Sequence, residues 1–213
     1  MYSGSIQDHP PIFVALTAFW GQVRLGELLP SRESDYDSSL LPRWSDFGIA
    51  NESGSRLLHL PRTKTGGARG EEIFITRQDH LDPIACLELH QLVNGGHNLP
   101  LASYRSSSGS MLSLTRRKSL RRVNEVLTAE GFQPISGHCF RIGGTTHLLL
   151  AGVPPDVVRL MGRWSSDSFL RYWCSLDLIA PLHAELLKSK LRKDPGAVLG
   201  FLFRRPFRPL GTG

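Results

Sequence analysis

Gly137-His138-Cys139-Phe140-Arg141-Ile142-Gly143-Gly144, followed by Gly162-Arg163-Trp164 and then Tyr172, is the stretch on which the reading of this chain turns. It sets an imidazole and a guanidinium three residues apart, on one face of any helix formed there. A tyrosine follows downstream, in a strongly basic protein. A phosphodiester breaks when cations clamp the phosphate and a hydroxyl attacks it. This stretch carries both kinds of group.

Working outward, composition narrows the setting. The 213 residues are 40% hydrophobic and 21% charged, as expected of a globular chain with one full core. The formal charge of +6 and a pI near 9.6, with most arginines in the second half, favour a polyanionic partner. Nucleic acid comes first and an anionic membrane a poor second. Cys86, Cys139 and Cys174 are odd in number and lack CxxC or metal-type spacing, which fits reduced thiols in the cytosol or, in a eukaryote, the nucleus. Residues 1–11 lack the apolar core of a signal peptide, and no apolar run reaches the length of a membrane span.

Hydrophobic spacing predicts a helix from Pro11, with Ile12, Phe13, Leu16, Phe19 and Trp20 recurring, interrupted at Gly21 and resumed over Gln22 to Leu29. Ser31 to Pro42 is a polar loop. Trp44–Ala50, Arg56–Lys64 and Glu71–Thr76 are β-prone runs divided by Ser53-Gly54 and Thr65-Gly66-Gly67, which predicts a three-stranded antiparallel sheet. A helix is expected from Asp82-Pro83 to Val93, stopped by Asn94-Gly95-Gly96, then a serine-rich loop over Ser103–Ser113. Thr115 caps a helix with an apolar stripe of Leu120, Val123, Val126 and Leu127. Further helices are expected near His138–Ala151, Pro155–Met161, Asp167–Trp173 and Leu178–Lys190. The fold class is therefore α+β, mainly α-helical, with one small sheet.

Four motifs recur in a specific order: Arg24 in GQVRLGELLP, Lys64 in LPRTKTGG, the His138/Arg141 segment GHCFRIGGTTHLLLAG, and GRWSSDSFLRYW with Trp164 and Tyr172. In that order the chain resembles the catalytic domain of the tyrosine recombinase (phage integrase) family, most closely the recombinases of fungal Crypton-type mobile elements. The resemblance spans roughly residues 12 to 178. It implies the fold of the DNA breaking-rejoining enzymes and a site built from Arg24, Lys64, His138, Arg141, Trp164 and Tyr172. Tyr172 would attack phosphorus to give a 3′-phosphotyrosyl link, while Arg24 and Arg141 hold the non-bridging oxygens with planar, permanently charged forks. Lys64 would protonate the departing 5′-oxygen, with Arg62 and Arg69 as nearby rivals. His138 would accept a proton or donate to the phosphate, and Trp164 stands where most members have a second histidine. No cofactor or metal is implied; the implied partner is double-stranded DNA, with tetramers assembled on it.

Members of that family carry an N-terminal helical domain, whereas this sequence starts one helix before Arg24. Residues 1–192 are thus expected to match the catalytic domain alone, with 193–213 as a loose basic tail. Arg116, Arg117, Lys118, Arg121 and Arg122 crowd one helix, as a solvated face or as a phosphate-contacting one. Plainer roles stand beside the catalytic ones. Arg24 can pair with Glu27, Lys64 can be a solvated turn residue, His138 can cap its helix, Trp164 can anchor the core, and Tyr172 can be an amphipathic-helix tyrosine. His147 reads as structural, and Gly143-Gly144 as a site of close helix packing. An inactive DNA-binding remnant, a type IB topoisomerase-like protein and a helical scaffold are the alternatives.

Overall fold

In the computed structural model, the structure describes residues 9–165 except 38, 65 and 97. Tyr172, the helices expected at Asp167–Trp173 and Leu178–Lys190, and the basic tail lie outside the described residues.

The chain opens with α1 (His9–Trp20), which is apolar nearly all round and is accordingly enclosed. Its most buried residues are Phe13, Val14, Thr17 and Ala18, while Ile12, Leu16, Phe19 and Trp20 are half-buried. The helix packs against α3 (Pro83–Asn94), α4 (Arg116–Ala129) and α5 (His138–Leu150), so it is the post around which the others are arranged. It ends where Gly21 meets the sheet. A Cβ on Gly21 would lie 2.9 Å from both the Thr17 carbonyl oxygen and Ile75 Cδ1. Gln22 then takes φ 49° and turns the chain towards the short α2 (Leu25–Leu28).

The expected three-stranded sheet is not what forms. Among the described residues there are two separate two-stranded antiparallel pairs, β1 (Arg56–Leu60) with β2 (Glu71–Ile75), and β3 (Ser103–Arg105) with β4 (Met111–Ser113). The first β-prone run instead folds as a 3₁₀ turn at Trp44–Asp46, because the Asp46 carboxylate accepts the Arg43 backbone N–H at 2.7 Å and tightens the chain. The run reaches β1 at a single bridge, Phe47 opposite Leu58, with the Gly48 N–H donating to the Leu57 carbonyl at 2.8 Å. The second pair lies in the serine-rich stretch read as a loop. Three-residue strands with so few apolar side chains give no alternation to detect, and Gly109, at φ 87°, closes their turn.

The β1/β2 pair buries Leu58, Leu60, Ile73 and Ile75 on its inner face against α1, and the connection between the strands carries Lys64 outward. Helix α3 starts as expected, with the Asp82 side chain accepting from Ile84 N–H at 2.9 Å and Pro83 in the first turn. Its buried polar pair explains its docking: His90 Nε2 lies 3.0 Å from the Leu101 carbonyl, and Asn94 accepts the Arg105 N–H at 2.9 Å. Helix α4 is capped by Thr115. Leu120 and Val123 pack on the core, while Val126, expected on the same stripe, is exposed.

The closest helix contact bears directly on the site. A Cβ on Gly144 would sit 1.9 Å from the Phe19 carbonyl oxygen, so only glycine lets α5 approach α1 here. Gly144→Ala should lower unfolding free energy by about 2–3 kcal/mol, because the obstacle is backbone and cannot rotate away. Urea denaturation measures it, and a loss below ~0.5 kcal/mol would show that α5 can slide without cost. Behind this contact His147 rests edge-on against Trp20, ring centroids 5.1 Å apart, a structural histidine as read from the sequence.

Candidate active site and nucleic-acid interface

The site is assembled from four distant stretches: the start of α2, the β1–β2 connection, the start of α4 and the start of α5. Arg24 leads into α2, and its Nη1 is 3.0 Å from Glu27 Oε1 while its backbone N–H donates to Glu27 Oε2 at 3.1 Å. The pairing offered as its plainer role thus exists, but it leaves the guanidinium partly exposed and fixed at the lip of a cleft. One lobe of that cleft is lined by Arg24, Arg62, Lys64 and Arg116, with Gly67 and Thr63 of the β1–β2 connection. Its carboxylates are Glu27 and Asp35, so four cations face two anions. The adjoining lobe is lined by Arg24, Arg116, Arg117, Gly137 and His138. Arg24, Gly26 and Arg116 belong to both lobes. Arg69 is exposed but lines neither.

Arg24, Lys64 and His138 are therefore brought together. Arg141 and Trp164 lie beneath them. The Arg141 side chain is fully buried and donates to two backbone carbonyls, Gln22 at 2.5 Å and Gly162 at 2.6 Å. Its guanidinium carbon stands 4.0 Å from the Trp164 ring centroid, a cation–π stack. Arg141 lines neither lobe of the cleft, although its charge acts on His138, which does.

The basic face of α4 divides. Arg116 and Arg117 turn to the cleft. Lys118 is paired with Glu33, while Arg121 and Arg122 lie 3.7 and 3.6 Å from Glu125. Exposed pairs of this kind break readily, so they do not remove the positive field.

No family model matches the sequence, and no curated protein matches it. Solved structures do match the shape. XerH site-specific recombinase bound to difH substrate, in a pre-cleavage complex, superposes with TM-score 0.53 at 15% identity, over 81% of this chain and 44% of that one. XerH on palindromic difH substrate, post-cleavage, gives TM-score 0.56 at 14% identity, over 91% and 49%. The fold is that of a site-specific recombinase. The chain spans about half the length of the recombinases it matches.

Within this recombinase fold, sequence reading left two residues out of the site, Arg163 and Glu27, the latter named only as a plain partner of Arg24. Glu27, buried, bridges Arg24 and Arg163: Arg163 Nη2 is 2.8 Å from Glu27 Oε2, and its Nε lies 3.3 Å from Glu71 Oε2 at the start of β2. Arg163 takes φ 53°, uncommon for a residue other than glycine, immediately before Trp164. Burial pulls its guanidinium below the ordinary arginine range, and Glu27 and Glu71 oppose that. One chain of charges, Arg24–Glu27–Arg163–Glu71, buried at its two middle side chains, thus ties α2 to the hairpin. The i,i+3 spacing of Arg24 and Glu27 was the only sequence signal for it.

His138 opens α5 and is exposed to the cleft. Desolvation first, then the positive charges of Arg141 and Arg24, hold its imidazole below the usual histidine range. The ring is thereby kept neutral at pH 7, able to take a proton. A folded value depressed in this way gives a contribution to stability that is present above about pH 6.5 and lost as pH falls through the folded value. An NMR titration of the His138 ring should give a midpoint below 6.5 that moves upward when phosphate is added. A midpoint at or above 6.5 in the free protein would show that neither burial nor the arginines hold it down.

Proposed function

We propose that this chain is the catalytic domain of a tyrosine recombinase, derived from or belonging to a mobile element of the Crypton kind, acting on double-stranded DNA. The observation that carries the reading is the convergence of Arg24, Lys64 and His138, 114 residues apart from first to last, on one cationic cleft. The recombinase neighbours were solved bound to their difH substrates, which supports a recombination substrate as the partner of this cleft.

In the proposed reaction the Tyr172 oxygen attacks phosphorus, and the bond from phosphorus to the 5′-oxygen breaks. Lys64 gives its proton to that leaving oxygen, and neutral His138 receives the phenol proton. Arg24, held flat by Glu27, stabilises charge on the non-bridging oxygens. Arg141 and Trp164 complete the set from below. Rejoining is the reverse, with a 5′-hydroxyl attacking the phosphotyrosine. Residues 1–192 form this domain, 193–213 a basic tail, and the active species is a tetramer on DNA in the nucleus if the source is eukaryotic.

The buried Arg141 favours a second reading, an inactive remnant that binds DNA through the cleft without cutting it. Incubation with a pool of nicked duplexes of random sequence, followed by denaturing isolation of protein-linked DNA, separates the two. A covalent adduct is expected. Retarded DNA without any adduct would establish the remnant, and absence of binding at low salt would sink both.

A further inference from the structure

Arg116 is the cleft's most unusual cation. It is shared by both lobes, yet it lies outside the set that the sequence motifs single out. It opens α4, where its backbone N–H donates to the Pro30 carbonyl at 3.0 Å, so the start of the helix is docked onto the segment following α2. Its Nη2 donates to Ser31 Oγ. Its Nη1 lies over Gly26, 3.2 Å from where a Cβ on that residue would stand. Gly26 is two residues from Arg24 and exposed, and it is not at a positive φ, so the backbone does not demand glycine there. What its lack of a side chain provides is a seat for a guanidinium beside Arg24. The carboxylates of this lobe are already engaged, Glu27 by Arg24 and Arg163, and Asp35 by Arg32. Of the guanidiniums that line the cleft beside Arg24, namely Arg62, Arg116 and Arg117, Arg116 alone shares both lobes with it.

We propose that Arg116 and Arg24 grip one and the same phosphate group, Arg116 supplying from α4 the second planar fork of the site. A phosphate between the lobes meets two forks whose positions are set independently, one by Glu27 and the other by Ser31 and Gly26. Such preorganised, charge-assisted bonding suits a phosphodiester oxygen pair. The identity of that phosphate as part of DNA rests on the function proposed above; the two-arginine grip does not.

The test is a double-mutant cycle on the full chain, read by fluorescence anisotropy with a 30-base-pair duplex across a salt series. Arg24→Ala and Arg116→Ala should each weaken binding about tenfold, and Arg116→Ala should flatten the salt slope by about 0.9, one phosphate contact. The double variant should weaken it by much less than the product of the two, because both forks act on one phosphate. Arg77→Ala, an exposed arginine paired with Asp82 and Glu88, should change affinity less than twofold. Gly26→Val keeps every charge but occupies the guanidinium's seat, so it should weaken binding severalfold with an unchanged circular dichroism spectrum. Arg116→Lys should fall between wild type and Arg116→Ala. Multiplicative losses in the double variant, or an Arg116→Ala effect below twofold, overturn the shared grip. If wild type binds no duplex, the functional reading fails, and inorganic phosphate then decides the grip by side-chain NMR. Shifts of both arginine Nε–H signals sustain it, and a shift of only one, or of neither, ends it.

Discussion

Replacing Arg141 with alanine should cost the protein about 3–5 kcal/mol of stability, more than any other single change at the site. The side chain is wholly enclosed and donates to the Gln22 and Gly162 carbonyls, which belong to the chain just after α1 and just after α6 (Pro155–Met161). Removing it strands two buried acceptors, opens a cavity the size of a guanidinium stem and takes away the partner of the Trp164 ring. Gln22 is doubly committed, since its Oε1 also accepts from Thr145 Oγ1 at 2.7 Å. The loss would therefore spread into α5. For a chain of this size that corresponds to a fall in Tm of roughly 10 °C, read by calorimetry or urea melts. Arg141→Lys should recover less than half, because one ammonium cannot span two carbonyls as a fork does. A loss under ~1 kcal/mol would mean that the guanidinium is not holding these elements, and would return it to the cleft as a pure phosphate ligand.

Tyr172→Phe should eliminate the covalent DNA adduct altogether while leaving duplex affinity within about twofold, since one hydroxyl among many phosphate contacts contributes little to binding. The other tyrosines are poor substitutes. Tyr36 is half-buried, and burial, opposed by Arg43, pushes its phenol up to about 12, so a nucleophilic phenolate is harder to form there. Tyr104 is half-buried in β3, packed against the core. Tyr2 lies outside the described residues. Tyr104→Phe is therefore the matched control and should keep full adduct formation. Adduct persisting in Tyr172→Phe would assign the nucleophile elsewhere and remove the central element of the proposed mechanism. Loss of both adduct and duplex binding would instead make Tyr172 a residue of the fold.

Both experiments bear on one property of the site, that its cations are held by one another's partners. Arg24 is positioned by Glu27, Glu27 is shared with Arg163, and Arg163 reaches Glu71 at the foot of the hairpin that presents Lys64. A charge removed anywhere along this chain leaves a buried neighbour one counterion short, so its cost exceeds that of one surface pair. A construction of this kind keeps several cations close together before any phosphate arrives to neutralise them, which is the arrangement that electrostatic preorganisation requires.

Helix starts and stops were legible in the sequence because they depend on short-range chemistry: Asp82-Pro83 and Thr115 at the N-caps, and Gly95 and Gly131 at or just beyond the ends. The order of Arg24, Lys64 and the His138/Arg141 pair was legible too, since motif spacing survives in one dimension. The Gly143-Gly144 pair announced close packing, and Gly144 has it. What misled was the run Trp44–Ala50, whose β-prone side chains were overruled by one carboxylate reaching back to a backbone N–H. The Ser103–Ser113 hairpin went unseen because its strands are too short to show alternation.

The sequence by itself determined the helical frame and the roster of cations. Which of those cations line the cleft was decided only in three dimensions. Arg141 and Arg116 are both arginines on amphipathic helices, indistinguishable by charge or propensity. One is drawn inward because two carbonyls at helix ends must be satisfied away from water, and the other remains at the cleft because Gly26 and Ser31 leave it a seat there. Such long-range partners lie up to 119 residues apart, and no local pattern encodes them.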